Sequence, residues 1–209
     1  MTPIATQTTD LLTVAEAAAR RRSIRAFESA PIPEEDLIAI FETVRLAPSA
    51  YNVQPWRFVV IREPALKRAL ARAANGQRQV ESAPAVVVLY TDMEDALATV
   101  DEVIHPGIAP ERRAAARDGT LEAFARMKEE QLGAWGAGQG YIALGYLLLA
   151  AESRGYQTSP MLGFDPKAVA ELLGLPAGVR IPALVAIGKG TEAGYPHHRH
   201  GLDRLVRWE

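Results

Sequence analysis

Two rhythms of apolar residues divide the chain, one at helical spacing and one in continuous β-branched runs. From Asp10, a good N-cap residue, LLTVAEAAAR predicts a helix running toward Arg22. Pro33 opens a second helix with Glu34, Glu35 and Asp36 in its first turn, where the macrodipole favours acidic groups. Leu37, Ile40, Phe41 and Val44 form its apolar face, and it must stop near Pro48. Residues 57–61 (RFVVI) read as a strand and residues 64–74 as a short helix. The run AVVVLY at 85–90 has the unbroken character of a fully buried central strand. Residues 92–131 are charged and mostly helical in pattern, broken at His105-Pro106-Gly107. An uncharged helix follows, then a stop at Gly155, a turn through Ser159-Pro160, a helix at 166–173 and a third buried strand at 181–187. Few strands among many helices predict an α+β fold in three layers, with a small sheet between helices. No repeat, long linker or low-complexity tract interrupts the chain, so residues 1–209 read as one domain.

The uncharged segment at 132–151, LGAWGAGQGYIALGYLLLAA, is long enough to cross a bilayer. Four glycines and Gln139 crowd its first half and neither flank carries a basic anchor, so a buried or interface helix is the expected reading. The first ten residues, MTPIATQTTD, lack the basic start and apolar run of a signal peptide, which makes a cytoplasmic location the expectation. A formal net charge of −2 gives no reason to expect nucleic acid or an acidic membrane as partner. The absence of cysteine removes disulfides, thiolate nucleophiles, iron–sulfur clusters and Cys-based zinc sites together.

Four segments carry candidate chemistry. Arg20-Arg21-Arg22-Ser23-Ile24-Arg25-Ala26-Phe27 places forked guanidinium donors beside a hydroxyl, as a phosphate would require. A basic helix end stabilised by the dipole reads the same residues equally well. Pro48-Ser49-Ala50-Tyr51-Asn52-Val53-Gln54-Pro55-Trp56 is a stiff loop of small polar groups, suited to the edge of a planar heterocycle. Ordinary turn chemistry explains it too. Gln139 is a lone amide on the uncharged helix and needs a partner if buried, either a cofactor or a backbone group. The fourth is a pair, Ser159 to Asp165 (SPMLGFD) and Tyr195-Pro196-His197-His198-Arg199-His200. Three nearby histidines invite a metal, but no carboxylate cluster accompanies them and their spacing is not that of a helical ligand pair, so no metal is expected.

Taken in order, these segments resemble the nitroreductase family. Its pattern runs R-x-S-x-[RK]-x-[FY], then P-S-x-x-N-x-Q-P-W, a Gln on the central helix, P-x-x-G-[FY] about twenty residues later, and a basic residue near the C-terminus. Here these are Arg21 to Phe27, Pro48 to Trp56, Gln139, Pro160 to Phe164, and Arg199. The resemblance implies a three-layer fold with a small mixed sheet flanked by helices, in an intertwined homodimer with FMN at two shared sites.

On these positions the resemblance implies that Arg21, Ser23 and Arg199 grip the FMN phosphate, with Arg22 adding to the cluster. Arg25 would reach the ribityl chain or the pyrimidine edge. Pro48, Ser49, Ala50 and Asn52 would come from the partner subunit. Pro160, Met161, Leu162 and Gly163 would pass over the ring, and Gln139 would bond the ribityl or ring region. Gln79 falls where some relatives carry a Lys, and His197 where a second basic residue often stands. The activity implied is ping-pong electron transfer from NADH or NADPH to a small acceptor, a nitroaromatic or quinone, with no catalytic side chain. A related flavin enzyme acting on an enone, aldehyde or halogenated substrate is the alternative, and a flavin-binding protein without turnover another. Residues 92–131 resemble a variable substrate lid, with Phe124 and Tyr90 as candidate substrate contacts.

Overall fold

The computed structural model describes residues 11–209. Helix α1 (Val14–Arg20) starts at Thr13, whose N–H donates to the Glu16 carboxylate at 2.8 Å while its hydroxyl accepts from the Glu16 N–H. This reciprocal capping box starts the helix, in place of Asp10. Asp10 and the stretch MTPIATQTTD lie outside the described residues. Helix α2 (Glu34–Val44) has Pro33 at its N-cap and buries Leu37, Ile40 and Val44, as their spacing predicts. A 3-10 turn (Ala50–Asn52) leads into β1 (Trp56–Ile61), then α3 (Pro64–Ala73), α4 (Arg78–Ser82) and β2 (Ala85–Thr91). Residues 92–131 hold α5 (Met93–Ala98), α6 (Val100–Val103) and α7 (Pro110–Phe124). Helix α8 (Glu129–Ser153) takes in the whole uncharged segment; no helix among the described residues is long and apolar enough to cross a membrane. The chain continues through β3 (Gln157–Met161), α9 (Pro166–Leu173), β4 (Arg180–Gly188) and α10 (Leu202–Leu205).

The strands lie in the order β1-β2-β4-β3. Each pair is antiparallel, so the sheet differs in pairing from the mixed one expected. Among the described residues parallel pairing is confined to an isolated bridge between Ser23 and Thr158. Buried β-branched runs announce coverage on both faces, and strand direction is left to the connections. The turn expected through Ser159-Pro160 is instead part of β3. That strand lies at the sheet edge, where a proline without an N–H is tolerated.

Alternation along β2 and β4 sends side chains to both helical layers. Ala85, Val87, Leu89, Val185 and Ile187 pack against α2 and α8 through Ile40, Val44, Ala143 and Leu147. Val86, Val88, Leu184 and Ala186 pack on the other face against Leu70, Ala71, Val80 and Val169 of α3, α4 and α9. Helix α8 approaches the sheet through Gly140, where a Cβ would stand 2.8 Å from Thr91 Cγ2 and 3.0 Å from Pro182 Cγ. Leu147 is fully buried in this layer. Leu147→Ala is expected to cost about 2–5 kcal/mol, read in thermal unfolding as a Tm lower by roughly 4–20 °C. Val14→Ala, at an exposed position, should shift stability by about 0.5 kcal/mol or less.

Candidate functional site

The chain leaves α1 at Arg21 and presses onto the sheet edge through Ile24, whose N–H donates to the Thr158 carbonyl at 3.1 Å. The C-terminal tail returns to the same place. At Gly194, with φ +66°, a Cβ would sit 2.8 Å from Ile24 Cδ1 and 2.9 Å from Arg22 Cβ, so the missing side chain lets the tail lie flat against this segment. The result is a small cavity of about 190 Å³ lined by Arg21, Ser23, Arg25, His197 and Arg199.

Within it the arginines have different tasks. Arg22 donates to the carbonyls of Ala19, Arg20 and Arg21 at 2.7, 3.0 and 3.0 Å, capping the end of α1. His197 Nε2 lies 3.2 Å from the Ala18 carbonyl oxygen and adds to that cap. Arg21 is different: its Nη1 is buried and, among the described residues, has no hydrogen-bond partner. Burial and the neighbouring Arg199 guanidinium hold Arg21 below its ordinary pKa, with Glu152 opposing them. Behind it, burial pushes the Glu152 carboxyl up, against the pull of the Gln157 amide and the Arg21, Arg20 and Arg22 guanidiniums. A buried, unsatisfied guanidinium nitrogen is costly alone and well matched to a phosphate oxygen.

The loop at 48–56 is strained. Tyr51, Asn52 and Gln54 have φ of 55°, 56° and 44°, a region that L side chains enter at a cost. Several bonds hold them there. The Gln54 N–H donates to Ser49 Oγ at 3.0 Å, and Asn52 Nδ2 to the Val103 carbonyl at 2.9 Å. The Ala50 N–H donates to Gln139 Oε1 at 3.0 Å. Gln139 therefore braces the loop, which accounts for the lone amide on α8. Pro48, Ala50 and Asn52 remain exposed, and Ser49 is half-buried.

A third group gathers after β3. Met161 is buried, Leu162 is exposed, and the Gly163 carbonyl accepts from Asn75 Nδ2 at 3.0 Å and Gln77 Nε2 at 2.8 Å. Its own N–H donates to no other group among the described residues. Gln79 is buried, donates to Gln77 Oε1 at 3.0 Å and lies 3.2 Å from Met161 Sδ. The Gly163 carbonyl is thus held by two amides, and the Gly163 N–H, in the preceding peptide unit, is left available to a ligand.

The structure brings Arg21, Ser23, Arg25 and Arg199 together, and separately Gln79 with Met161 and Gly163. The loop lies elsewhere in the same chain. Gln139, under the loop, and Glu152, beside Arg21, are about 20 Å apart along α8 at 1.5 Å per residue. Phe124 is buried in an aromatic stack, 5.4 Å from the Tyr51 ring and 4.7 Å from that of Trp135, so within one chain it supports the loop. Tyr90 is half-buried on β2, paired with Arg57. Among the described residues no group of three or more His, Asp or Glu could hold a metal ion. Glu152, Asn75 and Gln77 escaped the sequence reading. An acid ending a charge-free helix and the polar run around Gln79 were the available signals.

A sequence profile described as the nitroreductase family matches residues 18–189. A Thermus thermophilus protein named NADH dehydrogenase is 55% identical, with 96% of this chain and 98% of that one covered. The Bacillus subtilis protein YdgI, which carries an NAD(P)H nitroreductase name, is 34% identical over 90% of this chain and 94% of its own. A protein of Exiguobacterium sibiricum, described as a nitroreductase and solved in complex with FMN, superposes with a TM-score of 0.87 at 30% identity, covering 97% of this chain and all of that one.

The two arginines next to Ser23 should respond oppositely to removal. Without phosphate, Arg22→Ala should lose the helix cap at a cost of about 1 kcal/mol, lowering Tm by roughly 2–4 °C, whereas Arg21→Gln should leave Tm unchanged or raise it. Added inorganic phosphate should raise the Tm of the unaltered protein, and Arg21→Gln should abolish that rise, both read by calorimetry.

Proposed function

This chain belongs to the nitroreductase family, and from that premise we propose that it is an FMN-dependent oxidoreductase passing electrons from NAD(P)H to a small organic acceptor, a nitroaromatic or a quinone. The observation that carries the reading is the buried, unpartnered Arg21 Nη1 in a cavity shared with Ser23 and Arg199. It has the chemistry of a phosphate seat, and the unpartnered Gly163 N–H has that of a donor to a heterocycle edge. When bound, FMN supplies the two-electron redox chemistry. The protein's part is positional. Arg21 and Arg199 hold the phosphate, with the Ser23 hydroxyl as a neutral donor. Arg25 extends the charge toward the large groove beside α3. Asn75 and Gln77 fix the Gly163 carbonyl, and the neighbouring Gly163 N–H has no partner among the described residues. No side chain need act as acid, base or nucleophile, and donor and acceptor occupy the same place in turn.

The site is proposed to be shared between two copies. In one chain the exposed loop around Ala50, at the middle of α8, and the cluster around Arg21, near its end, are held about 20 Å apart along the helix, so the reading has a second copy supply the loop to each ligand. Tyr141, Ile142 and Tyr146 leave an apolar stripe on α8 exposed, and the tail exposes Leu202, Leu205 and Trp208. Unpartnered apolar surface of this kind marks an interface. Residues 92–131, which hold the loop through Val103 and Phe124, would then form a lid over the shared site.

The purified protein should show visible flavin bands that bleach on anaerobic addition of NADPH; a colourless protein that takes up no FMN would overturn the reading. Arg21→Gln should weaken FMN binding by about 10- to 100-fold, the scale of one or two charge-assisted contacts. Sharing is checked by mixing. Arg21→Gln and Ala50→Trp chains, assayed at FMN levels too low to load either alone, should on random re-pairing rebuild about a quarter of the sites, since each mixed dimer has one unaltered site. No recovery in dimers shown to exchange would confine the site to one chain.

A further inference from the structure

A cavity of about 1180 Å³ lies between the chain at Arg25, α3 and α4. It is larger than the roughly 300–1,000 Å³ of a small-molecule site. Its inner wall belongs to the elements described above. Arg25 lines it and the phosphate cavity alike, and Gln79 lines it while touching Met161. Its outer wall carries Arg68, Arg72 and Arg78, all exposed. Among the described residues none of the three takes part in an ion pair. Two carboxylates also line the cavity, Glu81 and Glu192, and the latter already accepts from the Arg25 N–H at 2.6 Å.

This concentration of positive charge runs against the chain's net charge of −2. It also runs against helix stability. Arg68 and Arg72 stand one turn apart on α3, where like charges repel. A bound anion would relieve that repulsion. A neutral nitroaromatic or quinone has no use for three guanidiniums, whereas a dinucleotide is an elongated polyanion with an uncharged reactive end. Forked guanidinium donors are the natural partners of its phosphates.

We infer that Arg68, Arg72 and Arg78 bind the phosphates of the dinucleotide electron donor, with its nicotinamide directed to the Met161–Gly163 end of the groove. The inference rests on the NAD(P)H-dependent reading and adds the seat of the donor's charged half. It predicts that the groove governs donor binding and leaves the electron-transfer step itself unchanged.

The test uses flavin-loaded protein with Arg68→Gln/Arg72→Gln and, separately, Arg78→Gln. Anaerobic rapid mixing with NADH, NADPH or 1-benzyl-1,4-dihydronicotinamide, which has no phosphate, gives half-saturation and limiting rate, and calorimetry gives the Kd for NADP+. Half-saturation for the dinucleotide and the Kd for NADP+ should rise about tenfold or more in the double variant. Limiting rates and the benzyl compound's curve should stay as they were. A shift with both dinucleotides assigns the pyrophosphate, and one with NADPH alone assigns the 2′-phosphate. Unaltered NADP+ affinity, or an equal shift with the benzyl compound, would overturn the inference. Flavin content, read from the same spectra, reports separately on the enzyme reading, because the NADP+ titration does not depend on flavin reduction.

Discussion

Helix α8 lies directly on the sheet because Gly140 carries no side chain between it and Thr91 and Pro182. That approach lets Ala143, Leu147, Ala150 and Ala151 close over Val87, Leu89, Val185 and Ile187. Both parts of the proposed site take their positions from this helix. Gln139, projecting from its middle, accepts the Ala50 N–H and sets the height of the strained loop. Glu152, buried near its end, stands behind Arg21. Moving the helix outward by the width of a methyl group would disturb core, loop and the proposed phosphate seat together.

The loop shows where the fold keeps its strain. Three residues with side chains hold positive φ within four positions, each at a cost on the order of 1–3 kcal/mol. The bonds to Ser49, Gln139 and Val103 and the stack of Tyr51 on Phe124 and Trp135 over-determine them. A loop held this firmly, with Pro48, Ala50 and Asn52 still exposed, has the preorganisation that the proposed sharing between two copies requires.

Charge is distributed with similar economy. The protein is slightly acidic, yet its two neighbouring cavities are both arginine-lined and meet at Arg25. Not every arginine is free for a ligand. Arg22 closes the end of α1, while Arg21 is left with a buried nitrogen unspent. Adjacent residues of one type thus divide into one that caps a helix and one that, on the proposed reading, binds a ligand, according to which way the chain turns after the helix.

Local pattern was enough to place most elements. Residues 166–173 form the helix their sequence predicts, and AVVVLY is the buried central strand its composition announces. Proline, apolar spacing and β-branching act over a few residues, so they are legible in one dimension. The ordered segments from Arg21 to Arg199 could be read for the same reason, since each is a single residue or a short run recognisable by residue type. Three things depended on the tertiary fold. Ser159-Pro160 became an edge strand because β4 was there to pair with it. Phe124 became a support for the loop because Tyr51 and Trp135 enclose it. Arg68, Arg72 and Arg78, unremarkable on a charged helix and its neighbour, became one wall of a cavity when α3 and α4 folded against Arg25. Such roles are set by which distant groups arrive alongside a residue, and the pattern of its neighbours in the chain does not specify that.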